Sequence, residues 1–535
     1  MKTLLHKLHA HPRLDRWDVL LALASFAGGL ILYIRTLTTG LLCGDSGEFQ
    51  TLAHLLGNTH PTGYPIYLVM AKLATLLPLG DIAYRVNLFS ALMGGLTVAG
   101  VYLSGRMLVK YRSLALIGAA ALAVSPTYWS QAVIAEVYTA GSAFLIGIVL
   151  ALLYWTRNEN SWALFLAGLL GGLSLGVHMS VALLAPAVLL FMLWHWRRGR
   201  KMWTTALLGA AAGVIITAFI FWHIDLHDPA ANYFNSVIEP SRSAWGLTAD
   251  KIDGPFERLS FGWSARQFRS FMFADVAKVM PEQAADYWQN LPFEMSWLLI
   301  LFAILGAVYL LFRWTRVGVL LIMGLTIQLA YVFNYEMWDL YVFYIPSYVL
   351  LSLLSVAGMG AVADLGIAAI RKITSGDQIR WLKLANEGVI ALLVLGFAVL
   401  PIFLPQIEAF STGEVPFKFD DYPVFDEYLQ DIAYAMVIEL PDNAVVFTDW
   451  AMVWPYYYAA YIVEGRTDLV FIETYPADDL DGIADSVIDY VITHLGEHPI
   501  YFSEREPTLL EAGFTFVPAR VGPIRLYRVL MNNVW

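Results

Sequence analysis

Long blocks without a single charged residue dominate the pattern of this chain. Stretches free of Asp, Glu, Lys and Arg cover 19–34, 86–105, 113–135, 137–156, 160–196, 202–224, 295–312, 317–335, 340–363 and 388–407. A helix needs roughly 20 mostly apolar residues to cross the hydrocarbon core of a bilayer. The block at 160–196 is long enough for two spans, with a natural break at "GVHMS" (176–180). The pattern therefore predicts a polytopic α-helical membrane protein with about eleven spans.

Lys and Arg near span ends set orientation. Lys2, Lys7, Arg13 and Arg16 precede the first block, which predicts a cytoplasmic N-terminus. Alternation from there puts Arg106/Lys110/Arg112, Arg157, Arg197/Arg198/Arg200/Lys201, Arg313/Arg316 and Arg371/Lys372/Arg380/Lys383 on the same inner side. The span count and the charge rule are independent, and they agree. Three regions then face outward: a loop at 37–85, an aromatic-rich loop at 225–294, and the tail. Within the first loop, "YPIYLVMAKLATLLPLG" (64–80) is too short for a span, and crossing would break the charge alternation. It reads as an interfacial or re-entrant helix.

The pattern changes at 408. Residues 1–407 form the membrane domain, and 408–535 are acidic and mixed. Short β-rich runs, "AVVFTDW" (444–450), "DLVFIET" (468–474) and "PIYFSER" (499–505), alternate with helical-period stretches near 424–439 and 481–495. That alternation predicts a small extracytoplasmic α/β domain. No 20–50-residue repeat is visible.

Composition supports lipid as the solvent. The 535 residues are 58% hydrophobic and 14% charged, with a mean hydropathy of +0.60, whereas soluble domains carry about a quarter charged residues. The first apolar block follows basic residues without a small-x-small cleavage site, so it reads as a signal anchor in a multi-pass cell-membrane protein. Leu42 stands before Cys43 where a lipoprotein signal needs a small residue. One cysteine excludes an intramolecular disulfide and argues against Cys-based metal sites. The net charge of −11 follows the outward loops and tail, and it offers nothing for a nucleic-acid partner.

Candidate chemistry concentrates in "LLCGDSGEFQTLAHLLGNTHPTGYP" (41–65). Asp45 and Glu48 share a helix face, and Asp-x-x-Glu also fits a capping box, with Asp45 as N-cap and Glu48 at N3. The topology places His60, Glu136, His178 and the Asn334/Glu336/Asp339 turn at the same membrane face, which predicts a polar cleft there. For Glu136 and His178, a plain turn between spans is the competing reading. Arg85 opens the second span at that face, suited either to a phosphate or to interfacial snorkelling. Arg242, Lys251, Arg258, Arg266 and Arg269 are further cations in the second loop. His54 and His60 lack zinc-ligand spacing. A soft Ca²⁺ or Mg²⁺ site from Asp45, Glu48 and Glu136 stays open. No P-loop, G-x-S-x-G or strand–helix G-x-G-x-x-G is present.

"GDSGEF" (44–49), "HPTGYP" (60–65), "RVNLFSALMGGLTV" (85–98), "AEVYT" (135–139), "GLSLGVHMS" (172–180) and "NYEMWDLYVFYIP" (334–346) resemble a group of bacterial membrane proteins. Their animal relative is a transmembrane protein O-mannosyltransferase, and the group is similar to the GT-C glycosyltransferases. The resemblance spans roughly 17–365, departs in reading HPTGYP where HPPGYP is common, and lacks the animal relative's tandem helical repeats. It implies an inverting enzyme that moves a hexose, mannose first among candidates, from polyprenyl phosphate to a hydroxyl of an exported protein or glycan. Asp45 is then the general base, with Glu48 and Glu136 beside it. His60, Tyr64, Arg85, His178, Asn334 and Asp339 would bind substrate. No metal or cofactor is implied beyond the lipid-linked donor. The competing classes are a permease and a non-catalytic scaffold on the same fold. Permeases usually place ionisable groups at the midplane of repeated halves, whereas here the polar groups gather near span ends.

Overall fold

A computed structural model describes residues 14–227, 229–374, 378–413, 423, 425–476 and 482–531. Lys2, Lys7 and Arg13, used above for orientation, lie outside the described residues. Every apolar block carries helix. Among the described residues, eight helices are long and apolar enough to span: Arg16–Arg35, Ile82–Leu108, Tyr138–Asn158, Arg200–Leu226, Val276–Arg313, Thr315–Val332, Leu340–Lys372 and Trp381–Gln406. The block at 113–135 is a pair, Arg112–Ala123 and Pro126–Ala132, bent by 69°, and 160–196 gives two shorter helices, Ser161–Gly176 and Met179–Trp194. The protein is a multi-pass membrane protein.

The chain divides into two compact units, each assembled from three segments. One comprises Met1–Leu37, Ser90–Ile216 and Ser270–Asp421; the other comprises Thr38–Phe89, Thr217–Arg269 and Tyr422–Trp535.

The first unit is the helical bundle. Two acids near span ends are each held by several donors. Asp18 is fully buried and accepts from Arg106 Nε (2.7 Å), Arg112 Nε (2.9 Å) and the Tyr102 hydroxyl (3.2 Å). Asp364 accepts from Lys110 (2.6 Å), Tyr111 (2.8 Å) and Tyr309 (3.0 Å). The bend in the third block has a local cause. Pro126 starts a new helix, and the buried Glu294 accepts from the Ser125 hydroxyl, the Thr127 hydroxyl (2.7 Å) and the Thr127 N–H (3.1 Å). A carboxylate from another span thus does the work of the missing N-cap side chain. Gly306 and Gly358 let two spans touch backbone to backbone, since a Cβ on either would meet a carbonyl oxygen of the other helix.

The second unit contains the loop at 37–85, part of the loop at 225–294, and the tail. The loop holds the helices Gly44–Leu55 and Pro65–Thr75. Pro65–Thr75 falls within the stretch read as an interfacial or re-entrant helix. The tail forms a five-stranded sheet of order β2-β1-β3-β5-β4: β1 Val445–Thr448, β2 Val470–Glu473, β3 Ile500–Phe502, β4 Phe514–Val521 and β5 Ile524–Met531. β1 pairs in parallel with β2 (Val446↔Phe471) and β3 (Val446↔Tyr501), while β5 is antiparallel to β3 and β4. Phe447, Ile472, Val487, Val491, Phe502, Leu509 and Val529 form its core. The three β-rich runs fall on β1, β2 and β3. One boundary differs: Trp450 is not in the strand. Asp449 stops β1 by accepting from the Met452 N–H (3.1 Å), capping the helix Trp450–Tyr457.

Candidate active site

The helix Gly44–Leu55 begins differently from the capping-box reading. Its N-cap is Cys43, with no side-chain cap bond. Glu48 does not turn back to the helix start. Fully buried, it reaches the loop that leads to the Pro65–Thr75 helix. Its Oε1 accepts the His60 backbone N–H (2.8 Å), and its Oε2 lies 2.5 Å from His60 Nδ1. Two bonds to one residue fix both the loop and the imidazole, which makes Glu48 a holder of His60. Burial pushes the Glu48 carboxyl above the usual range, and the His60 charge and hydrogen bonds oppose that rise.

The far side of the ring faces the second carboxylate. His60 Nε2 is 3.9 Å from Asp45 Oδ2, so Glu48, His60 and Asp45 form a line from interior to surface. The Asp45 side chain is 41% exposed against 0% for Glu48. Its other oxygen, Oδ1, accepts the indole N–H of Trp450 at 2.9 Å. Aromatic rings hold the imidazole: Tyr64 at 5.0 Å, Phe49 at 5.6 Å, and Tyr233 and Trp450 each at 6.2 Å. Tyr64 takes a left-handed backbone (φ 41°) just before Pro65, and its hydroxyl donates to the Pro61 carbonyl (3.3 Å).

The 58–62 loop is anchored from the loop at 225–294. The Tyr233 N–H donates to the Asn58 carbonyl (2.7 Å), and Asn58 Nδ2 donates to Asp225 (2.8 Å). Arg258 Nη1 lies 3.5 Å from the same Asp225 oxygen. The Tyr233 hydroxyl donates to Gln267 (2.8 Å). Asn58 Oδ1, Thr59 Oγ1 and Thr62 Oγ1 are buried without a hydrogen-bond partner among the described residues. Such groups carry a desolvation cost unless a water or ligand meets them.

The remaining candidates divide. Arg85 lies in the same unit, but its guanidinium is engaged by backbone carbonyls of Leu79 (2.6 Å), Thr75 (2.8 Å) and Gly80 (2.9 Å). It closes the end of the Pro65–Thr75 helix, and a phosphate would have to compete with three acceptors. Glu136, His178, Asn334 and Asp339 belong to the helical unit. Glu136 is buried just before the helix Tyr138–Asn158, and its N–H donates to the Ser90 hydroxyl (3.2 Å). His178 Nδ1 is 2.6 Å from Ser180 Oγ, and its ring packs on Tyr138 (5.0 Å) and Phe343 (5.7 Å). "AEVYT", "GVHMS" and "NYEMWDLYVFYIP" therefore meet through these rings. Asn334 donates to the Ala330 carbonyl (2.8 Å), and its own carbonyl accepts the Phe273 N–H (2.7 Å). Asp339 precedes the Leu340–Tyr344 turn.

Trp450 and Tyr233 escaped the sequence reading. Nothing local marks them: Trp450 reads as the end of a β-run, and its role appears only once the tail is folded.

Two comparisons place this arrangement. Over nearly all of its length the chain is similar in fold to ArnT from Cupriavidus metallidurans. The crystal structure bound to undecaprenyl phosphate has a TM-score of 0.54 at 12% identity, covering 97% of this chain and 98% of that one. The apo structure gives 0.53 at 12% identity, covering 96% and 97%. The protein thus shares its fold with a polytopic membrane protein and carries a small C-terminal sheet domain. Residues 45–202 match the family described as Protein O-mannosyl-transferase TMEM260 N-terminal domain. Protein O-mannosyl-transferase TMEM260 of Mus musculus is 35% identical over 132 residues, 24% of this chain and 19% of the mouse protein. The Dictyostelium discoideum protein of that name is 24% identical over 135 residues, 25% and 16%. The chain spans less than a fifth of the length of these relatives.

Proposed function

We propose that this protein is an inverting, metal-independent glycosyltransferase. It takes a hexose, mannose as first candidate, from polyprenyl phosphate to a hydroxyl of an exported protein or glycan. The observation that carries this reading is the Glu48–His60–Asp45 line within the matched segment, with an accessible carboxylate at its outer end. Asp45 accepts the proton of the acceptor hydroxyl as that oxygen attacks the anomeric carbon, while the bond from that carbon to the phosphate oxygen breaks. Polyprenyl phosphate leaves with the electron pair. A general base must sit within hydrogen-bond reach of the proton it takes, and an exposed carboxylate meets that condition.

His60 steadies the charge of Asp45 and, held by Glu48, keeps one ring nitrogen toward it. The unpartnered polar atoms of Asn58, Thr59 and Thr62 are suited to sugar hydroxyls. Arg85 donates to three carbonyls, whereas Arg266 and Arg269 each donate to one (Trp245 and Ser264, both 3.1 Å) and keep more N–H groups for the leaving phosphate. They bracket Gln267, the partner of Tyr233. Glu136, His178, Asn334 and Asp339 are proposed as acceptor- or donor-binding groups of the helical unit. The N-terminus is cytoplasmic and the site faces outward.

The test is transfer from labelled polyprenyl-phosphate mannose by purified protein. We expect wild type to transfer and Asp45→Asn to lose at least 10²-fold in rate. Retained transfer by Asp45→Asn removes the base assignment. Solute uptake into liposomes with no transfer from any lipid-linked sugar removes the enzyme.

A further inference from the structure

The hydrogen-bond donor on Asp45 comes from the tail, outside the matched segment 45–202. We propose that Trp450 is the positioning residue of the catalytic base, so that the C-terminal domain completes the active site. This rests on the reading of Asp45 as base.

The geometry is built rather than incidental. β1 ends at Thr448, and the Asp449 cap makes Trp450 the first residue of its helix. The helix Trp450–Tyr457 lies against the helix Gly44–Leu55 along a stripe of small residues, Gly44, Gly47 and Thr51. A Cβ on Gly44 would face Trp450 Nε1 at 3.7 Å, and one on Gly47 would reach Pro455 Cδ at 3.3 Å and collide with the Leu42 carbonyl. The Thr51 hydroxyl donates to the Trp454 carbonyl (3.1 Å). The glycines of "GDSGEF" thus seat the tail helix, while the acids of the same motif carry the chemistry. The Trp450 ring meets Tyr233 (5.9 Å), Trp454 (5.9 Å) and His60 (6.2 Å) edge-on.

The indole N–H donates and never accepts. It therefore pins Oδ1 of Asp45 in the ionised form and leaves Oδ2, beside His60, for the acceptor hydroxyl. The titratable groups facing this carboxylate are His60 and Glu48 from its own loop and helix, and Tyr233 from the second outward loop. Cys43 lies two residues before it, and from the tail Asp449 acts on the Cys43 thiol and Glu473 on the Tyr233 hydroxyl.

The experiment compares Trp450→Phe with replacement of Trp450 by 3-benzothienylalanine, which keeps the ring shape and removes the N–H. Both should lower kcat roughly tenfold, the worth of one hydrogen bond to a charged group, with KM for polyprenyl-phosphate mannose within about twofold. The acidic limb of the kcat/KM profile should move to higher pH, because the ionised carboxylate has lost a donor. Full activity of the benzothienyl protein, or an unmoved limb in both variants, overturns the proposal. With Asp45→Asn inert, either result leaves the base assignment standing, whereas an active Asp45→Asn removes that assignment instead. A readout without substrate stands beside these. The ¹⁵N–¹H resonance of the Trp450 indole should titrate in wild type and lose that titration in Asp45→Asn. A pH-independent resonance in wild type also overturns the proposal.

Discussion

At the scale of single residues, burial separates two carboxylates that look alike in the sequence. Asp45 and Glu48 stand three apart on one helix, yet Glu48 is sealed against His60 while Asp45 meets solvent and Trp450. Glu48→Gln keeps the shape but loses the inner carboxylate of the line, so His60 is left with the Asp45 carboxylate 3.9 Å away as its acidic partner. Transfer should fall roughly 10²-fold with little change in donor KM, and an unchanged kcat would show that the pair is only structural. A second buried acid lies in the tail. Glu473 ends β2, is 4% exposed, and has Oε2 buried without a partner among the described residues. Desolvation raises its pKa to about 8. The folded state thus keeps a proton that the unfolded chain releases above an ordinary carboxylate pKa. Stability from this group is intact below that value and declines by about 1.4 kcal/mol per pH unit as pH rises toward 8. Thermal unfolding of the detergent-solubilised protein between pH 5 and 8 should show the decline in wild type and a flatter curve in Glu473→Gln. Parallel curves would contradict the assignment.

At the scale of elements, what the sequence revealed depended on whether the cause was local. All ten apolar blocks carry helix, because a long uncharged run has few other ways to satisfy its backbone in lipid. Among the described residues, however, eight helices, not eleven, are long and apolar enough to span, since 113–135 is bent and 160–196 is split into two shorter helices. The alternating runs at 444–450, 468–474 and 499–505 marked β1, β2 and β3, but the hairpin at 514–531 passed unread. Its edge strand β4 buries Phe514 and Phe516 while exposing Pro518, which blurs the two-residue period. The capping box failed for a non-local reason, since His60, twelve residues on, takes the Glu48 carboxylate. The partners of Arg85 were equally unread, being carbonyls at and just beyond the end of the preceding helix. Gly47 was legible as part of a motif but not as a contact surface. Gly47→Ala puts a methyl against the Leu42 carbonyl and Pro455, an overpacking cost of about 1–3 kcal/mol. The helix Trp450–Tyr457 should lift from its seat, with a lower melting temperature and faster proteolysis of the tail. Melting and proteolysis equal to wild type would show that the stripe is not a seat.

At the scale of the whole molecule, the proposed chemistry requires a particular topology. A polyprenyl-phosphate sugar and an exported acceptor meet outside, so the loop at 37–85 and the sheet domain must face outward and the basic span ends inward. The charge rule predicts this from clusters such as Arg197/Arg198/Arg200/Lys201 and Arg313/Arg316. Cys43 is the only cysteine in the sequence, and its burial raises the thiol pKa, which lowers its reactivity. A Cys43→Ser background therefore gives a clean chain for labelling. In that background, Glu497→Cys on an exposed turn of the sheet domain should react with a membrane-impermeant maleimide in intact cells. Glu159→Cys, on the exposed turn after the helix Tyr138–Asn158, should react only after permeabilisation. The reverse pattern would put Asp45 on the cytoplasmic side, where an exported acceptor never arrives, and would end the glycosyltransferase reading.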